Sequence, residues 1–485
     1  MFLTEASRNK DTKVNLQKVE KLLIQGDFSA ALQLLESNPL NKLNSIIISE
    51  LKGDVLLKLK MYDEALLSYS NFDEGQNESL RVQLKIANTK RFIGKFSSAV
   101  KDYKALLKKH PKNAGLLNSL GNAYKEMNDT DKAVDLYDRA ILLDKNHIGA
   151  HFNKGLILQE KGSTLTAIES FKSVVNIQPN HFASLKALGR SYFKLPDYNK
   201  ALSFYRKAIG LKQNDLMLMN EIAEVHNQLG QFTQSQKILE YAHKLEPKNA
   251  ITLNNLGNTL RKKEEYEKAI LFYRKAIALE PKNDKYYCNM AVAIAESSNY
   301  KGAIPIYKKS LRINPQNYIA HNNLGVSYSA LGYYQEAIEK FNKVIHLKDD
   351  YAEPHYSLGK LYTEDRKPDL AILHYKKALK IDKEHYRSLL GLAYPLIFRN
   401  NFTEAWEKYE YRWMVKPTSN QEWPTKSNKK WEGEEDRDLV LWREQGIGDD
   451  ILFLGLVTEA KRISKSVVVF TQERLISLCE RGMPG

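Results

Sequence analysis

The chain has 485 residues, 43% hydrophobic and 27% charged, which is ordinary for a folded protein and enough for several domains or one long repeat array. No run of 18 apolar residues occurs, and the N-terminal stretch MFLTEASRNKDTKVNLQ lacks an apolar core, so neither a membrane span nor a secretory signal is expected. Two distant cysteines, Cys288 and Cys479, offer neither a disulfide framework nor a zinc spacing, which points to a reducing, cytoplasmic setting without a metal. The net charge is +15; residues 420–485 hold 10 Lys and Arg against 12 Asp and Glu, so the preceding 419 carry +17. Such an excess attracts acidic proteins, nucleic acid or anionic lipid. The lysines are scattered, with no arginine-rich block, so a solvated helical surface is the plainer reading and nucleic-acid binding rests on charge alone.

Residues 1–11 form a polar N-terminal tail. From Thr12 to Ser419 the sequence repeats every 34 residues, twelve times, without an insertion. Position 20 of each unit is Ala31, Ala65, Ala99, Ala133, Ala167, Ala201, Ser235, Ala269, Ala303, Ala337, Ala371 and Ala405. Position 8 is Gly or Ala in eleven units, Gly121, Gly155 and Gly257 among them; position 24 is aromatic in ten, and position 32 is proline in six. Two antiparallel helices approach closely only where facing residues are small, which fits positions 8 and 20. The aromatic at 24 is expected to fill the space between one helix pair and the next. Proline at 32 ends the second helix. In the first helix, Leu117, Leu120, Gly121 and Tyr124 fall on one face at the helical period. One such pair cannot bury its apolar faces alone, so the units must stack.

This pattern resembles the tetratricopeptide repeat family over about five sixths of the chain. The resemblance implies an all-α, right-handed superhelix of twelve helix-turn-helix units whose concave face, lined by the first helices, binds an extended peptide or partner protein. Units one and two depart from the pattern, with Val19 at position 8 and the polar stretch NFDEGQNES respectively, as terminal repeats do when they cap a stack.

Asparagine, a mediocre helix former, recurs within the first helices: Asn118, Asn220, Asn254 and Asn322 at position 5, Asn153, Asn255, Asn289 and Asn323 at position 6, and Asn88, Asn122 and Asn258 at position 9. A carboxamide carries both a donor and an acceptor and so matches a peptide unit. The row is similar to the asparagine ladder of protein O-linked N-acetylglucosamine transferases, which makes Asn88, Asn122, Asn153, Asn255, Asn258, Asn289 and Asn323 candidate peptide-binding residues. An Asn-rich composition accounts for them equally. His151, His321 and His355 share position 4 in different units; no carboxylate or cysteine completes a metal shell, and a core role is expected.

Residues 420–438 read as a polar linker with Pro424 and Gly433. Beyond it the texture changes: LVLW at 439–442 is a strand candidate, REQGIGDD a glycine turn, ILFLGLVTEAKRI a helix, and SVVVF at 466–470 a second buried strand. Together they spell a βαβ unit with a parallel pair. Gly446 and Gly448 let backbone amides approach an anion at the helix N-terminus, where Asp449 and Asp450 serve as caps or as a general base. WEG at 431–433 followed by EQGIGDDILF at 444–453 resembles the opening of glycosyltransferase-like domains related to heptosyltransferases. That resemblance implies Asp449 as catalytic base and a nucleotide sugar as donor if the domain is complete. Only 47 residues follow from Leu439, and the second Rossmann-like half that would hold the donor has no counterpart, so residues 439–485 are expected to be the start of such a domain. The expectation for this chain is therefore a protein-interaction scaffold needing no cofactor, with a protein glycosyltransferase as the alternative. Nothing in the sequence sets the oligomeric state.

Overall fold

A computed structural model describes residues 10–37, 42–70, 80–415, 438–442 and 457–470. The described residues before 416 form 24 α-helices, numbered α1 to α24 in chain order, closed by a 3-10 turn at Glu410–Trp413. Odd-numbered helices are the first and even-numbered helices the second of each repeat. The chain divides into two compact bodies, Met1–Gly302 and Ala303–Gly485. None of the described helices is long and apolar enough to cross a membrane.

The hairpin α7 (Ala114–Glu126) and α8 (Thr130–Leu143) shows why the repeat folds as it does. Asn113 caps α7 by accepting from the Leu116 amide at 3.0 Å, and Asp129 caps α8 through the Lys132 amide. The residue before each first helix, position 34, does this repeatedly: Asn113, His147, His181, Asp215, Asn249, Asn283, Asn317 and His385 all accept an amide of the first turn. Between the two helices, position 15 is left-handed in all twelve repeats, from Gly26 at φ 78° to Asn400 at φ 55°. Non-glycine residues, Lys60, Glu264 and Arg366 among them, accept that backbone, and Pro196 sits there at φ 29°.

The position-24 aromatic packs against the position-8 glycine of its own repeat. A Cβ on Gly121 would lie 2.6 Å from the Tyr137 ring, on Gly155 2.6 Å from Phe171, and on Gly257 2.6 Å from Tyr273. The expectation that this ring fills the gap between repeats therefore needs correction: it is first the wedge within the hairpin, because an absent or very small side chain at position 8 lets so wide a ring stay between close helices. In repeat 11 it does both, since Tyr375 also lies 2.6 Å from a Cβ built on Gly391 of the next repeat.

In the second body, β1 (Asp438–Trp442) and β2 (Ser466–Phe470) pair in parallel, Asp438 opposite Ser466 and Trp442 opposite Phe470. A short helix, α25 (Val457–Ile463), lies between them in sequence, with Val457 and Ala460 buried. Gly446, Gly448, Asp449 and Asp450 lie outside the described residues. A two-stranded pair with one described helix is an α/β element, and it does not by itself define a Rossmann-like half.

Candidate functional site

The candidate site is the face built by adjacent first helices. Its foundation is set at position 9. In four repeats a buried tyrosine at position 24 sets its hydroxyl against the residue 15 positions earlier. Tyr103 donates to Asn88 Oδ1 at 2.6 Å, Tyr137 to Asn122 at 2.7 Å and Tyr273 to Asn258 at 2.8 Å, and Tyr69 uses Asp54 at 2.6 Å in the same way. Burial pushes the Tyr103 hydroxyl up to about 12 and drives Tyr137 and Tyr273 in the same direction, so these phenols stay protonated donors. Where position 24 is phenylalanine, position 9 is apolar: Leu156 with Phe171, Val326 with Phe341. Since the phenol occupies the oxygen of each asparagine, the amide NH2 is the group left to face outward. Asn88, Asn122 and Asn258 are thereby oriented donors.

Positions 5 and 6 link one first helix to the next. Asn153 Nδ2 donates to Asn118 Oδ1 at 3.1 Å and to Asn122 Oδ1 at 2.9 Å. A longer chain runs through α13 (Leu216–Gln228), α15 (Ala250–Lys262) and α17 (Asp284–Glu296). Asn289 donates to Asn254 at 2.9 Å, Asn254 to Asn255 at 3.3 Å, Asn255 to Asn220 at 2.8 Å, and Asn220 to Thr252 Oγ1 at 3.0 Å. Asn220 and Asn254 are buried, while Asn255 and Asn289 are half-buried. The sequence placed the weight on positions 6 and 9; the buried acceptors at position 5 are what orient them. In the second body Asn322 donates to Asn323 at 3.4 Å, and Asn322 Oδ1 is buried with no partner among the described residues. The donor that would meet it elsewhere in the row sits 35 residues later, and here that residue is Ser357.

Ion pairs recur in the same register. Arg91 pairs with Glu126 and Arg261 with Glu296 at 2.6 Å, each spanning 35 residues, and Arg190 pairs with Glu221. Buried Glu50 is met by Arg81 and by Lys85 at 2.6 Å, a pairing that a carboxylate out of water requires. Beside the asparagine chain, Met217 and Ile251 at position 2 are 63% and 53% exposed, one turn from Glu221 and Asn255. The face thus offers oriented amide donors with bare aliphatic side chains alongside.

The histidines at position 4 are structural. His151 and His321 each bond through Nε2 to the carbonyl six residues back, Lys145 and Pro315, both at 3.0 Å. Tyr287 does the same to Pro281 at 3.2 Å. No group of three or more potential metal ligands occurs among the described residues.

Models described as tetratricopeptide repeat or TPR repeat match residues 81–113, 121–181, 186–215 and 250–385, more than half of the chain. The chain belongs to the tetratricopeptide repeat family. It is a repeat scaffold, with the family's twelve helical hairpins carrying the site. Anaphase-promoting complex subunit CDC16 of Saccharomyces cerevisiae is 26% identical over 129 residues, a match covering 26% of this chain and 15% of that protein. Solved structures are similar as well, a tetratricopeptide repeat protein among them. One, from Parabacteroides merdae ATCC 43184, has TM-score 0.45 and 18% identity over 51% of this chain and 98% of that one. The APC/C hetero-tetramer Cut9-Hcn1 has TM-score 0.42 and 17% identity over 81% and 85%.

Proposed function

We propose that the first-helix face of the first body holds an extended segment of a partner protein. The observation that carries this reading is the row of amides fixed from behind. Each position-9 asparagine is held through its oxygen by a buried tyrosine, which leaves its NH2 to donate, and a peptide carbonyl is the complementary acceptor. Half-buried Asn255 and Asn289 extend the row, and exposed Met217 and Ile251 supply apolar contacts for alternate side chains of the bound strand. Preorganisation matters because side chains already held by hydrogen bonds lose little freedom on binding. Peptides selected from a random displayed library against the full chain test this. Ile251→Glu places a charge beside Asn255 and is expected to weaken the selected peptides about tenfold, near 1.4 kcal/mol, with the thermal midpoint unchanged. Equal affinity for the variant removes the face from consideration.

A second reading concerns residues 438–470. The parallel β1–β2 pair supports an α/β module there, and the sequence EQGIGDD between them is the feature shared with glycosyltransferase-like domains. On that reading Asp449 is the base and a nucleotide sugar the donor. Nucleotide-sugar turnover by the purified chain that is lost in Asp449→Asn supports it; turnover unaffected by the substitution, or no turnover at all, counts against it for this chain.

A further inference from the structure

In several hairpins positions 4 and 23 hold an apolar pair. They are filled by Leu117 with Leu136, Leu185 with Phe204 and Leu253 with Phe272, each pair in one apolar cluster. Repeat 11 places a histidine at both positions. Its first helix, α21 (Glu353–Glu364), carries His355, and its second, α22 (Pro368–Ile381), carries His374. The two Nδ1 atoms are 3.2 Å apart and His355 is only 9% exposed.

That geometry fixes the proton count. At 3.2 Å one N–H lies between the rings, donated by one Nδ1 and accepted by the other. A proton added at the outer nitrogen of the donating ring leaves the bond intact but charges a buried pair. A proton on the accepting ring as well sets two N–H donors and two cations against each other. We propose that full protonation of the His355–His374 pair drives these rings apart and loosens the α21–α22 hairpin, making repeat 11 a proton-sensitive joint of the second body.

Among the described residues, the charged groups acting on these rings are cationic. Lys377 on α22 acts on both rings and disfavours their charged forms. Tyr362 of α21 lies against His374 with centroids 5.5 Å apart. From α23 (Tyr386–Phe398) and its cap come His385 and Arg387, which both engage Glu353, the carboxylate at the start of α21. From α19 (Tyr318–Ala330) and α20 (Tyr334–Leu347) come His321, Lys340, Lys343 and Glu339, which act on one another. Burial, then the neighbouring ring, lowers His374 to about 4, and burial lowers His355. Both groups thus have folded values below the ordinary 6.5, so the hairpin is fully stable above 6.5 and loses stability as pH falls towards 4.

Hydrogen exchange of the full chain between pH 7 and pH 5, corrected for intrinsic rates, reads this directly. Protection of the α21–α22 amides is expected to fall about tenfold per pH unit for each proton taken up. In the double variant His355→Leu, His374→Phe, which installs the pair used in repeat 8, that loss disappears. If the double variant does not fold, His374→Gln keeps a neutral polar side chain and removes one of the two protons, so the loss is expected to shrink by about tenfold per pH unit. Equal pH dependence in wild type and variant, or a wild-type loss spread evenly over the other repeats, overturns the proposal.

Discussion

At the scale of single residues, the pairing of position 9 with position 24 explains why asparagine persists in these helix interiors. Tyr273 is fully buried, and Asn258 accepts its only hydrogen. Asn258→Leu alone takes the acceptor from that buried hydrogen, with Arg261 still facing the phenol oxygen, and is expected to cost about 1–3 kcal/mol. Adding Tyr273→Phe converts the repeat to the Leu156 and Phe171 arrangement, so the double variant should recover about 1–2 kcal/mol in a urea-denaturation cycle. Additive losses would mean that the hydroxyl and amide act independently. The glycine beneath the ring carries a separate constraint. Gly257→Ala gains roughly 1 kcal/mol of helix propensity but sets a methyl 2.6 Å from a ring pinned at its hydroxyl. Overpacking at such a site costs about 1–3 kcal/mol, so a lowered thermal midpoint is expected. Ala87 opposite Tyr103 shows that the register takes a methyl where the hairpin is built for it.

At the scale of elements, the hairpins were legible because their signals are periodic and local. Alanine at position 20 and the aromatic at 24 recur often enough to fix the register, and the strands at 439–442 and 466–470 stood out by β-branched composition. The direction of the hydrogen bonds was not legible. Nothing in the spelling of Asn255 says that it donates to Asn220 in the preceding repeat, since that depends on how far apart two first helices stand. The capping role of position 34 was missed for a related reason: histidine at 147, 181 and 385 hides a pattern that asparagine alone would have revealed. The asparagine chain also exposes a local defect. Asn322 Oδ1 is buried without a partner among the described residues, and Ser357 carries a shorter side chain than the asparagine found there in other repeats. Ser357→Asn supplies a donor at that place in the row. It should stabilise the second body by about 1 kcal/mol, measured as a higher urea midpoint with unchanged slope. A lower midpoint would show that the space beside Ser357 is already filled.

At the scale of the whole molecule, a repeat array distributes its stability as repeat terms plus neighbour terms, so acid should not act evenly along the chain. Four histidines are held below their ordinary value by burial: His181 in the first body, and His321, His355 and His374 in the second. For each, the folded value lies below the unfolded 6.5, so the unfolded chain takes up the proton first. Stability is complete above 6.5 and is lost as pH falls. Carboxylates act in a lower window. Glu353, held down mainly by His385 and further by Arg387, keeps its stabilising charge until pH drops below its ordinary 4.5. Between pH 6.5 and 5 the histidines therefore dominate, and three of these four sit after residue 302. Urea unfolding followed by hydrogen exchange at pH 7 and pH 5 should show the second body losing more stability than the first. Equal losses in both would mean that the acid response comes from the charge carried along the whole array, whose +17 self-repulsion grows as each histidine protonates, and not from the buried rings.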